Sequence, residues 1–202
     1  MNTFVLLIRD INVGGKNIVP MAGLIKCLEE LGFADVSTYV ASGNVFLKSN
    51  KRPGEIKAQI EEALPKSFKL DSELIKVLVL SRNQLQAVID NRPKGFGDQP
   101  EKYYSDAIFL MDIDPAQAML VFDPREGVDI IWPGDGVIYS QRLSSLRTKS
   151  RLSKIIGTPA YQSMTIRSWN TTTKLLELLR RIDADREGDL LHEITHINPD
   201  GL

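Results

Sequence analysis

The chain has 202 residues, 43% hydrophobic and 25% charged, enough to bury one sizeable core or two small ones and too apolar for a disordered or collagen-like chain. A formal net charge of -1 supplies no bulk attraction to nucleic acid or an anionic membrane, so either partner would need a local patch. A single cysteine excludes an internal disulfide, and no run approaches the roughly 18 apolar residues of a membrane span.

Met1-Asn2-Thr3 leads straight into an apolar stretch without the basic region and apolar core of a signal peptide, so the expected location is cytoplasmic. Thr3 to Arg9 is continuous and β-prone, the pattern of a strand covered on both faces. It runs into the glycine turn of Leu6 to Asn17, L-L-I-R-D-I-N-V-G-G-K-N, where Gly14 and Gly15 open conformations closed to other residues and Lys16 adds a cation. Pro20 suits a first helical turn; Met21, Leu24, Ile25, Leu28 and Leu31 recur at helical spacing, and Gly32 is a stop. Val36 to Ala41 and Val45 to Lys48 read as strands joined by Ser42-Gly43-Asn44, residue types that suit a tight hairpin. Pro53 opens a helix carrying Ile56, Ile60, Ala63 and Leu64, and Ile75 to Leu80 is a strand.

Ser81 to Asn91 is a further helix, followed by the glycine-rich, charged stretch K-G-F-G-D-Q-P-E-K, read as a linker. The order then repeats. Ala107 to Met111 is a strand and Pro115 to Val121 a short helix; Val128 to Trp132 and Val137 to Ser140 are strands flanking P-G-D-G; Ser144 to Ile156 is a basic helix and Ser163 to Arg167 a strand. Asn170 to Ile182, with Leu175, Leu176, Leu178 and Leu179, closes the series as a helix packed on the rest. Each half reads βαββαβ, so the expected fold is α+β with two tandem ferredoxin-like subdomains and a C-terminal helix. The boundaries are 1–80 for the first subdomain, 81–105 for the connecting helix and linker, 106–182 for the second subdomain with its helix, and 183–202 for an acidic tail. In such a plait the first strand–helix loop and the turn between the second and third strands share one end. The glycine loop and Ser42-Gly43-Asn44 should therefore be neighbours.

The leader L-L-I-R-D-I-N-V-G-G-K-N, the turn S-G-N-V-F and the late R-S-W-N-T-T-T-K-L resemble a bacterial family catalogued as domain of unknown function 1697, whose members typically begin L-L-R-G-I-N-V-G-G and end R-N-W-N-T-V-x-K-L. The resemblance covers about residues 3 to 180 and implies two ferredoxin-like subdomains and no particular activity. This chain departs from the pattern at Asp10, where glycine is usual, and at Ser168, where asparagine is usual.

The glycine loop is not a phosphate-binding P-loop, which needs G-x-x-x-x-G-K-[ST]. It reads first as a structural turn; the rival reading is that its polar residues Asn12, Lys16 and Asn17, more than such a turn needs, form a candidate anion site with Arg9 and the neighbouring hairpin. From Gly136 to Lys174 there is no acidic residue, while Arg142, Arg147, Lys149, Arg151, Lys154, Arg167 and Lys174 are basic. That asymmetry reads either as a solvated face or as a patch for the phosphates of nucleotide or nucleic acid. Few aromatics interleave, so base stacking is not indicated. Trp169-Asn170-Thr171 opens the last helix: Asn170 or Ser168 would cap it and Trp169 anchor it, or its N-terminus with Arg167 would hold an anion. The ligand-binding candidates are Arg9, Asn12, Gly14, Gly15, Lys16, Asn17, Ser42, Gly43, Asn44, Arg167, Trp169, Asn170 and Thr171.

His192-Glu193-Ile194-Thr195-His196 satisfies the zinc-protease pattern H-E-x-x-H, with Glu193 as general base, but no third histidine or downstream glutamate follows. It reads as a chance match, and Cys27 as a core residue, so no metal or cofactor and no catalytic residue is assigned. Three hypotheses remain: a small-anion or phosphorylated-ligand binding module, a module that associates with proteins through sheet edges, and a zinc-dependent hydrolase using the late motif.

Overall fold

The computed structural model describes residues 1–71 and 75–196, with side chains through 184. The first half comprises β1 (Asn2–Ile8), α1 (Met21–Glu30), β2 (Ala34–Tyr39), β3 (Asn44–Ser49), α2 (Pro53–Ser67) and β4 (Val77–Ser81). Its strands form an antiparallel sheet in the order β2-β3-β1-β4. After α3 (Arg82–Asp90) come β5 (Tyr103–Leu110), α4 (Pro115–Met119), β6 (Asp129–Gly134), β7 (Val137–Leu143) and β8 (Met164–Ser168), a second antiparallel sheet ordered β6-β7-β5-β8. The last element is α5 (Trp169–His196). The chain is thus α+β, with two four-stranded antiparallel sheets and a C-terminal helix.

Strand alternation distributes the apolar residues among three cores. Phe4, Leu6 and Ile8 of β1 pack beneath α1 and α2 with Leu24, Leu28, Ile56 and Ile60. Val5 and Leu7 point the other way, into a central core shared with Ala107 and Phe109 of β5 and Val137 and Tyr139 of β7. Leu85 and Val88 of α3 and Leu175, Leu176 and Leu179 of α5 complete that core. Ile108, Leu110 and Ile138 face outward onto α4 and the segment before β8, where Ile155 sits. The two sheets therefore bury one face each against the other, with Phe46 of β3 and Leu80 of β4 beside Val5 and Leu7 on the first sheet's side.

Local signals start the helices as their residue types require. Pro53 occupies the first turn of α2, with the Glu55 carboxylate accepting from the Arg52 amide at 2.8 Å. Ser81 caps α3, and Gln84 returns a bond to the Ser81 amide at 2.9 Å, a capping box. The glycine-rich stretch before β5 is less open than its composition implies: Phe96 is fully buried, with its ring 5.0 Å from Trp169 in edge-to-face contact.

Two elements differ from the sequence reading. Residues 144–163 are not one basic α-helix followed by a loop; they form three short 3₁₀ turns, Ser144–Lys149, Leu152–Gly157 and Pro159–Ser163. The break falls at Ser150, in extended backbone, whose hydroxyl accepts from the Leu152 amide at 3.3 Å while Asp129 accepts from the Arg151 amide at 2.9 Å. Side-chain acceptors there take the amides that a continuous helix would need. The closing helix also does not stop at Ile182 but runs to His196, through a stretch that contains no proline.

Candidate functional site

The glycine loop and the Ser42-Gly43-Asn44 turn do lie side by side. The Ile8 amide donates to the Gly43 carbonyl at 2.8 Å, and Asn12 Nδ2 donates to the Ala41 carbonyl at 3.0 Å. Most of the loop's polar side chains are consumed in shaping it. Asp10, Asn12, Gly14, Gly15 and Asn17 all have positive φ, from 47° to 76°, a region that Asp, Asn and Gly tolerate best. Asn12 also bonds Val19 through both its carbonyl and its amide nitrogen, at 2.8 and 2.9 Å. Asn17 accepts from the Asp71 amide at 2.8 Å and donates to the Asp10 carbonyl at 2.9 Å. Lys16 is exposed.

Arg167, 8% exposed, is the hub between the sheets. Its guanidinium donates to Asn44 Oδ1 at 2.5 Å, Thr165 Oγ1 at 2.9 Å and the carbonyls of Ile166, Ile8 and Ser42 at 2.8, 3.2 and 3.0 Å. Asn44 in turn donates to the Tyr39 carbonyl and Ser42 Oγ. With every acceptor neutral, burial pushes the Arg167 pKa down to about 10. This side chain staples β8 to the end of β1 and leaves no donor for a ligand.

Trp169 is buried in the central core, Asn170 is exposed, and the Thr171 amide bonds Ser168 Oγ at 3.2 Å, so Ser168 caps α5. The basic stretch is largely paired: Arg151 and Lys154 share Asp123, Arg142 holds Asp106 and Lys174 holds Glu177. Arg147 reaches Tyr104 Oη at 3.4 Å, and together with Arg142, Thr148, Ser150 and Ser153 it lines a shallow surface groove. Cys27 is buried with its Sγ 3.4 Å from Ser67 Oγ. The side chains of His192, Glu193 and His196 lie outside the described residues.

Arg9 is in a different situation. It is 7% exposed, its Nε donates to the Met164 carbonyl at 3.0 Å, Nη1 forms an ion pair with Asp10, and the guanidinium carbon lies 5.1 Å from the Tyr161 ring centroid. Nη2 donates to no described residue. It is not sealed either: among the described residues the fully buried, unpartnered polar atoms are Thr3 Oγ1, Ser105 Oγ and Asp129 Oδ1. Arg9 lines a groove of about 440 Å³ where the end of β1 meets the 3₁₀ turns, with Asp10, Ile156, Gly157, Thr158, Pro159, Tyr161 and Gln162 as the other walls. Of the sequence candidates only Arg9 lines this groove. The residues from 156 to 162 carry no local motif, and nothing short of the folded chain brings them to Arg9.

A family model described as "Protein of unknown function (DUF1697)" matches residues 1–139. The chain belongs to that family. The match ends before the late W-N-T-T-T-K motif, so the resemblance over the last strand and helix rests on that motif alone. In three dimensions this family member is similar to the structure of the conserved bacterial protein SP0830 from Streptococcus pneumoniae, at 28% identity and a TM-score of 0.70, over 88% of this chain and 98% of that one. No curated protein sequence matches significantly. Among the described residues no helix is long and apolar enough to cross a membrane.

Proposed function

We propose that this family member is a binding module for a small molecule bearing a carboxylate or phosphate, received by Arg9 in the groove between β1 and the 3₁₀ turns. The observation that supports it is a guanidinium more than nine-tenths buried, with one nitrogen unclaimed among the described residues, at the wall of a groove of ligand size. Nη2 is open to the groove rather than sealed, so a ligand oxygen can take the place of water there. We read each half of the scaffold as a ferredoxin-like subdomain; the repeated strand order supports this, and 3₁₀ turns stand where the second half would carry its second helix. No catalytic group is assigned.

Two rival readings have less to stand on. The basic stretch from Arg142 to Lys174 offers nucleic acid few free charges once Asp106, Asp123 and Glu177 have taken their partners. Association through sheet edges would use β2, β4, β6 or β8; at two of these, a bulge between Ala34 and Ser37 of β2 and Pro133 of β6 obstruct strand addition.

The test is calorimetric titration with acetate, longer carboxylates, inorganic phosphate and sugar phosphates, on the wild type and on Ile156→Glu. Ile156 is 59% exposed, so a carboxylate there alters the groove without disturbing the core. Binding by the wild type that Ile156→Glu abolishes supports the reading. Binding that survives Ile156→Glu but is lost in Lys16→Ala or Arg147→Ala would place the site on the glycine loop or the basic groove, and refute it.

A further inference from the structure

A plain anion site does not explain Asp10. Its carboxylate, with the side chain 38% exposed, stands against the Arg9 guanidinium at the wall of the groove. A second negative charge at that point repels a simple anion and opposes a dianion more strongly. Asp10 is nevertheless held there by the fold: its φ is 59°, and its carbonyl receives Asn17 Nδ2 at 2.9 Å. Arg9 and Asp10 are adjacent in sequence, so the groove presents a fixed donor and a fixed acceptor side by side.

That pair complements a molecule with a carboxylate and an ammonium on one carbon, the carboxylate on Arg9 Nη2 and the ammonium on the Asp10 carboxylate. The rest of the wall suits the remainder of such a molecule. Ile156, Pro159 and Tyr161 supply apolar surface, Ile156 being exposed although aliphatic, and Gln162 is an exposed amide. About 440 Å³ lies in the lower part of the range for small-molecule sites. We infer that the groove binds a free α-amino acid with an apolar side chain. The inference rests on the reading that Arg9 receives a ligand anion, and it goes further in requiring the ligand's ammonium.

The experiment compares three probes that differ by one group each: L-leucine, 4-methylpentanoate, which lacks the ammonium, and isopentylamine, which lacks the carboxylate. Each is titrated calorimetrically into the wild type and into Asp10→Asn, a residue that tolerates the same positive φ. The wild type should bind leucine about tenfold or more tightly than 4-methylpentanoate, and Asp10→Asn should close most of that gap by weakening leucine alone. Equal affinity of the wild type for leucine and 4-methylpentanoate overturns the amino-acid inference and leaves the carboxylate reading standing. Binding of neither, or of isopentylamine alone, overturns the amino-acid inference, and the broader anion reading then falls only if acetate, phosphate and sugar phosphates also fail to bind. The wild-type comparison decides the matter even if Asp10→Asn does not fold.

Discussion

Asn44→Ala should destabilise the protein far more than a hairpin asparagine ordinarily would. Asn44 is fully buried, and its side chain makes three hydrogen bonds: it accepts from Arg167 Nε at 2.5 Å and donates to the Tyr39 carbonyl at 3.1 Å and Ser42 Oγ at 3.0 Å. A hydrogen bond to a charged group contributes about 1.5–3 kcal/mol and each neutral one about 0.5–1.5 kcal/mol, so the loss is about 2.5–6 kcal/mol. The upper half of that range is expected, because Arg167 pairs with no carboxylate among the described residues and would keep a buried Nε without an acceptor. For a chain of this size 1 kcal/mol corresponds to about 2–4 °C, so a loss of about 4–6 kcal/mol should lower the melting temperature by about 8–24 °C. Urea unfolding of the wild type, Asn44→Ala, Arg167→Met and the double variant closes a thermodynamic cycle. A coupling of at least about 1 kcal/mol is expected. A loss below about 1 kcal/mol for Asn44→Ala, or strict additivity in the cycle, would refute the view that Arg167 and Asn44 act as one staple.

Gly43→Ala and Gly14→Ala should separate sharply, although both residues have positive φ. A Cβ at Gly43 would meet the Ile8 carbonyl oxygen at 2.5 Å, whereas one at Gly14 meets nothing within 4 Å. Chemical denaturation should show about 2–5 kcal/mol lost in the first case and about 1–2 kcal/mol in the second. Trp169→Ala, which empties the ring contacts with Phe96 and Tyr139, should cost about 3–5 kcal/mol in the same assay, with a lower unfolding midpoint and an unchanged slope. Tyr139 is buried and donates its hydroxyl to the Val88 carbonyl at 2.6 Å, and burial pushes its pKa up to about 12. A raised phenol pKa means the fold favours the protonated form, so this stability is fully present below pH 10 and lost as pH climbs from about 10 towards 12. Ultraviolet titration should find one late-ionising tyrosine that disappears in Tyr139→Phe.

Local chemistry was legible before any coordinates. Apolar spacing placed α1 and α2, Pro53 and Ser81 marked helix starts, and the element order brought the glycine loop beside Ser42-Gly43-Asn44, as the bond from Ile8 to Gly43 shows. These features depend on neighbours within a few positions or on chain order, which the sequence contains directly. The fates of the polar residues did not follow from it. Asn12 and Asn17 invite a ligand when read as residue types, yet in the fold they shape a loop of left-handed backbone. Arg167 and Arg9 are alike on paper; one is saturated by oxygens of Asn44, Thr165 and the carbonyls around them, and the other keeps a nitrogen at a groove that no described residue claims. The 3₁₀ turns replaced a helix because Asp129, more than twenty positions away, accepts the Arg151 amide. Whether a donor is satisfied is decided by which distant acceptors packing delivers to it, and that sum is made only once both sheets have closed on their shared core.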